Sequence, residues 1–156
     1  MTQFAIQSSV MVHVFFGVLG ILLALALLVY VINVNEKNIH RIRSLSLYTA
    51  VSLVISYIVG GWWYVVYYAP ERDIIKAGNW KWAHNFFMEW KEHVFFALLF
   101  LGIFLPIVAY RNDLMVPENK RLLVIIASLV VILGLAMDGS GGIISRGVVV
   151  GLLGRG

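Results

Sequence analysis

From Val14 to Ile32 the chain runs nineteen residues without a polar interruption. At about 1.5 Å per helical residue, that run alone matches the roughly 30 Å hydrocarbon core of a bilayer. Inside hydrocarbon every backbone N–H and C=O needs an internal partner, so a lone run of this length crosses only as a helix. Further runs over about 45–68 and 86–110 are also long enough to cross. A fourth begins at Leu122 and is apolar for sixteen residues to Met137, where DGSGG interrupts it. Two courses are open there. The helix continues through the glycines, or it stops and leaves IISRGVVVGLLGRG at the interface. The expectation is an all-α chain, an integral membrane four-helix bundle with up-down-up-down connectivity. It forms a single transmembrane domain over 1–156, with spans at about 10–33, 45–68, 86–110 and 122–142.

Composition agrees. The chain is 61% hydrophobic and 13% charged, against about 45–50% and about 25% for soluble domains. Its net charge of +4 resides in loops, where membrane topology accounts for it, so no nucleic-acid partner is expected. Cysteine is absent, which excludes disulfides, thiolate metal sites and c-type haem. The N-terminus lacks the basic region and cleavage site of a signal peptide. GSGG has neither a preceding strand nor a following Lys-Ser/Thr, so it is no phosphate loop. Ser140 has no strand-turn-helix context for a nucleophile elbow.

Basic residues fall almost evenly on both sides. Lys37, Arg41, Arg43, Arg111, Lys120 and Arg121 face one side, and Arg72, Lys76, Lys81, Lys91, Arg146 and Arg155 the other. The uncharged N-terminal tail favours non-cytoplasmic N- and C-termini. Trp62, Trp63, Tyr64, Tyr67, Tyr68, Trp80, Trp82 and Trp90 form an aromatic belt around the middle loop.

Depth counting gives the sharpest expectation. Asn33 back to His13, Arg43 to Trp62, Arg111 back to His93 and Arg121 to Asp138 each span roughly 25–30 Å of helix. All four spans thus bring their unusual residues to one layer at the same edge of the bilayer. Helical phase aligns His13 with Gly17, Gly20 and Ala24, a small-residue strip with room for a neighbouring helix or a flat cofactor. On the second span Thr49, Ser52, Ser56, Gly60, Trp63 and Tyr67 share a face. On the third, Glu89 and His93 lie about 40° apart, Glu92 flanks them and His84 falls about 180° away. On the fourth, Gly134, Asp138, Gly141 and Ser145 align.

Three readings of this layer follow. In the first, the bundle holds b-type haem for electron transfer. His13 and His93 are axial ligands on diagonal helices, Gly17, Gly20, Trp62 and Trp63 pack the ring, and Arg146 or Lys91 pairs with a propionate. The chain is then an electron carrier or oxidoreductase subunit, Glu89 or Glu92 orients an imidazole, and Asp138 sets local charge or passes protons. In the second, His13, Glu89, Glu92, His93 and Asp138 hold or transport a single transition-metal ion such as Fe, Cu or Zn. EWKEH lacks the paired Glu-x-x-His of di-metal bundles. In the third, the chain is a non-catalytic subunit of a larger membrane complex. Glu89, His93, Asp138 and Arg146 then fix helix register, and the loop from Ala69 to His84 docks a partner. The architecture resembles that of small four-helix membrane cytochromes, an analogy of fold that assigns no residue. Expected partners are the lipid bilayer and, by reading, a redox partner, other membrane subunits or a second copy of the chain.

Overall fold

The computed structural model describes residues 3–154; Arg155 lies outside the described residues. Among the described residues there are five α-helices and no strand. They are α1 (Gln3–Ile32), α2 (Ile39–Tyr67), α3 (Ala69–Ala77), α4 (Glu89–Arg111) and α5 (Pro117–Leu153), with a π-helical segment, Ala83–Met88, leading into α4. Four stretches are long and apolar enough to cross a membrane: Ser8–Ile32, Ile39–Tyr67, Ala83–Arg111 and Pro117–Leu153. The protein is a multi-pass membrane protein built as an up-down-up-down four-helix bundle. The spanning helices form a ring in sequence order: α1 packs on α2 and α5, and α4 packs on α2 and α5. No two Cα atoms of the diagonal pairs α1/α4 and α2/α5 come within 8 Å.

Two tight turns, 33–38 and 112–116, lie at one end of the bundle, here the two-turn end; the termini lie at the other, the termini end. Asparagine side chains complete the first turn. Asn38 donates Nδ2 to the Asn33 carbonyl at 2.9 Å, and its Oδ1 accepts the Asn35 N–H at 2.9 Å. These side chains satisfy backbone groups that a tight turn leaves unpaired. In the second turn Asp113 accepts the Met115 N–H at 2.9 Å, and Pro117 opens α5, where a missing N–H costs no hydrogen bond. Arg43 reaches across and donates Nε to the Ala109 carbonyl at 3.0 Å, tying α2 to α4.

The main core comprises Ala24, Leu27, Val31, Leu53, Leu105, Leu123, Ile126 and Val130, with neighbours from all four spans. Glycines set the close approaches: Gly20 and Gly102 both lie against Leu53, and Gly134 lies against Ile21. Small residues of this kind let membrane helices pack by direct contact. Leu22, Val29, Phe100, Ile132 and Leu135 point outward, as a helix surface solvated by lipid requires.

α5 resolves the open question about the fourth span. It passes unbroken through DGSGG and on to Leu153. Its last turns pack against α3 and the π-helical segment, forming a second core of Tyr68, Ile75, Ala83, Met88 and Ile144. This contact needs glycine. A Cβ on Gly78 would come within 2.8 Å of the Gly151 Cα, and one on Gly151 within 2.6 Å of the Ile74 carbonyl oxygen. α3 occupies what the sequence suggested was loop; Pro70 in its first turn, Glu71 beside it and Lys76 in its last turn all favour a short helix.

Candidate functional site

His13 projects from α1 into the seam with α2. Its ring lies so close over Gly60 that a Cβ there would sit 2.4 Å from Nδ1. The missing side chain lets Nδ1 reach the Ser56 carbonyl at 2.8 Å. A carbonyl only accepts, so Nδ1 carries the proton in this bond. The Ser56 hydroxyl completes the clasp, donating to the His13 carbonyl at 2.9 Å and lying 3.0 Å from Nδ1. Below the ring, Gly17 lies against Ser56 and Gly20 against Leu53 and Ser52. The space that the small-residue strip opens is therefore filled by α2.

Lys91 enters the same layer from α4. Its ammonium lies 3.2 Å from the point a Gly141 Cβ would occupy, so it rests directly on the α5 backbone. It lies within Coulombic range of Asp138 and of His13, yet Arg72–Asp73 at 3.1 Å is the only ion pair among the described residues. Lys91 points inward because it shares a face with Leu98, Gly102, Leu105 and Ala109, which are buried. These positions lie 7, 11, 14 and 18 residues on, all within about 40° of Lys91 at 100° per residue. In the folded chain this face distinguishes Lys91 from its charged neighbours.

The acids and the histidine of EWKEH face outward, and Trp90 is half-buried. Glu89, Glu92 and His93 are exposed, and Phe96 and Phe100 continue their stripe. His93 donates Nδ1 to the Glu89 carbonyl at 2.6 Å, a bond within its own helix. Glu92 accepts a hydrogen bond from the Tyr64 hydroxyl, linking α4 to α2. His84, in the π-helical segment, is the buried histidine of the two: its Nδ1 is 2.9 Å from the Tyr68 hydroxyl. The face of α4 that meets the bundle is that of Lys91, set by the buried side chains farther along the helix.

Trp63 lies against Tyr68, its indole N–H enclosed without a partner. Trp62 is exposed and packs edge-on against Tyr67. Arg146 is exposed on α5 and Asp138 lies at the exposed edge of the layer. The structure thus brings His13, Lys91 and Asp138 into one layer and leaves Glu89, His93 and Arg146 on outer surfaces. No three His, Asp or Glu side chains among the described residues converge closely enough to hold a metal ion. Beyond the spans, burial holds the Tyr68 phenol above its ordinary range, with Tyr64 and Glu71 adding to the effect. Burial also raises the Glu71 carboxyl.

The chain matches no protein family, and no curated protein or solved structure is detectably similar to it.

Proposed function

We propose that the protein is a small subunit of a larger membrane assembly, its four helices locked by the polar layer at the termini end. One contrast carries this reading. His13 with Ser56, Lys91 with α5, Tyr64 with Glu92 and Tyr68 with His84 each join separate elements. The Glu89 and His93 side chains, at the same level, face outward. Ionisable groups at membrane depth are costly unless they meet a protein surface, water or headgroups. An outer stripe of acid, histidine and phenylalanine suits the flank of another membrane subunit. The test is native electrophoresis of source membranes extracted in mild detergent. The chain is expected in a species far larger than its own 17.5 kDa, and a Glu89→Ala/His93→Ala variant is expected to be released from it. A chain that migrates alone from native membranes rejects the reading.

A second reading, b-type haem for electron transfer, is favoured by one observation. Both His13 and His93 direct Nδ1 to a main-chain carbonyl, the arrangement that orients Nε2 as a ligand. Bound haem would supply one-electron chemistry, and His13 or His93 an axial nitrogen. Absorption spectra before and after dithionite test it; a colourless preparation from haem-replete cells rejects it. Elemental analysis of the same sample tests for iron, copper or zinc at Glu89, Glu92 and His93.

A further inference from the structure

Gly139 and Gly142 are helical glycines that nothing inside the chain calls for. Glycine is a poorer helix former than any residue but proline. Elsewhere in the spans a close neighbour accounts for it: Leu53 at Gly20, Ile21 at Gly134, Lys91 at Gly141 and Ala83 at Gly147. A side chain at Gly139 or Gly142 would meet nothing within 4 Å. Both are exposed on α5, as are Ala136 and Arg146. At 100° per residue these four fall within about 120° of one another and form one outer stripe. Arg146 stands at its upper end, toward the termini end, and joins no ion pair among the described residues.

The outer face of α4 is opposite in size and in charge. Phe96 and Phe100 are 48 and 66% exposed, and exposed His93 and Glu89 continue their stripe toward the termini end. The Glu89 carboxylate likewise joins no ion pair among the described residues. α4 thus presents bulk below an acid, and α5 a notch below a base. Contacts inside the bundle fix the levels. Lys91 rests on Gly141, and Ala83 rests on Gly147 farther toward the termini end. Counted from Lys91 and Gly141 at about 1.5 Å per residue, Phe96 is level with Ala136, and Arg146 stands about 5 Å above Glu89. Within one chain the two charges cannot meet, since Glu89 is turned about 160° from Lys91, the side chain that reaches α5. In another copy inserted the same way the levels are equal, and α4 of one can lie along α5 of the other.

We propose that the outer face of α5 seats α4 of a second copy of this chain, with Phe96 entering the notch at Ala136, Gly139 and Gly142 and Glu89 pairing with Arg146. The inference rests on the reading of the chain as a subunit of a larger membrane assembly, and it names the neighbour. Small residues let membrane helices approach closely, and opposite charges across the contact select partner and register. Each copy carries both halves, so the contact can repeat from copy to copy.

Cysteine is absent from the chain, so disulfide trapping is unambiguous. Copies carrying Phe96→Cys and copies carrying Ala136→Cys, differently tagged, are co-expressed, and their membranes are oxidised with copper phenanthroline. A covalent product of two chains bearing both tags is expected. None is expected when Val18→Cys, at the same depth on the exposed side of α1, replaces Ala136→Cys. Glu89→Arg or Arg146→Glu, introduced into every copy, should lower the yield about fivefold or more, and the two together should restore it. Thermal unfolding in detergent verifies that each variant is folded. Absence of the two-chain product overturns the inference, as does a yield that the folded single reversals leave unchanged. Native electrophoresis separates this failure from that of the subunit reading. A large species without the product means that the neighbour is a different protein, and a chain that migrates alone rejects both.

Discussion

Gly60→Ala tests the His13 clasp directly. The new methyl carbon would stand 2.4 Å from Nδ1, 2.6 Å from Cε1 and 2.9 Å from Cγ of the imidazole. Three ring atoms thus fall inside van der Waals contact, and the ring must leave its seat. Overpacking a filled seam costs about 1–3 kcal/mol. Losing the hydrogen bond to the Ser56 carbonyl adds about 0.5–1.5 kcal/mol. Alanine is the better helix former by about 0.8–1.0 kcal/mol, which acts in the opposite direction. The balance is a destabilisation of about 2 kcal/mol. The informative comparison is the same substitution in a His13→Ala background. The three closest contacts to that methyl are all imidazole atoms, so without the ring these clashes are gone and the helix-propensity gain acts. Gly60→Ala should then stabilise by about 0.8–1.0 kcal/mol. Denaturant titration in detergent micelles of the four proteins of this cycle yields the coupling, about 3 kcal/mol, together with a reversal of sign. An equal cost in both backgrounds would refute the clasp.

Further expectations use the same reasoning. Gly151→Ala presses a methyl onto the Ile74 main chain at 2.6 Å, so α3 should lift from α5 and limited proteolysis within Ala69–Ala77 should accelerate. Gly139→Ala and Gly142→Ala meet nothing within 4 Å and should each stabilise α5 by up to about 1 kcal/mol, measured by thermal unfolding. Tyr68→Phe leaves His84 Nδ1 buried without its partner and should destabilise by about 1–3 kcal/mol in denaturant titration. Glu71 carries a carboxyl pKa raised by burial above 4.5. The folded state therefore holds that proton more firmly than the unfolded state. Its favourable contribution is complete below 4.5 and is lost as pH rises through the raised folded value. Glu71→Gln should match the parent in acid and be the more stable protein at neutral pH; a gap that widens toward acid would contradict the sign.

The spans were legible because apolar length is a one-dimensional property, and a crossing segment has no alternative to the helix. Depth counting likewise anticipated that His13 and Asp138 lie level with the start of α4. Facing is harder, since it depends on which side of a helix finds neighbours. In α4 the chemically conspicuous residues Glu89 and His93 face outward, whereas Leu98, Gly102, Leu105 and Ala109 align Lys91 with the interior. The face is set by plain residues two to five turns away, in a stretch apolar all round, so only the folded chain reveals it. The His13 strip was recognisable as a close-packing surface, but its occupant was not: only the folded chain places Ser56, Leu53 and Gly60 of α2 there. DGSGG left both courses open because glycine is a poor helix former. Packing beside and beyond it overrides that preference: Lys91 rests on Gly141, and Ala83 and Ile75 pack against Gly147 farther along α5.

The unbroken α5 also has a mechanical consequence. Its 37 residues make a rod of about 55 Å, whereas the hydrocarbon core is about 30 Å thick. Roughly 20 Å therefore extends past the membrane edge at the termini end, with α3 fastened to it backbone to backbone at Gly78 and Gly151. A spanning helix adjusts to a thinner bilayer by leaning, commonly by about 20°. Leaning by that much would carry the far tip sideways by about 7 Å, and the α3 cap with it. Bilayer thickness would then be registered at the surface as the position of a small helix, a displacement that a fluorophore on the outer face of α3 would report.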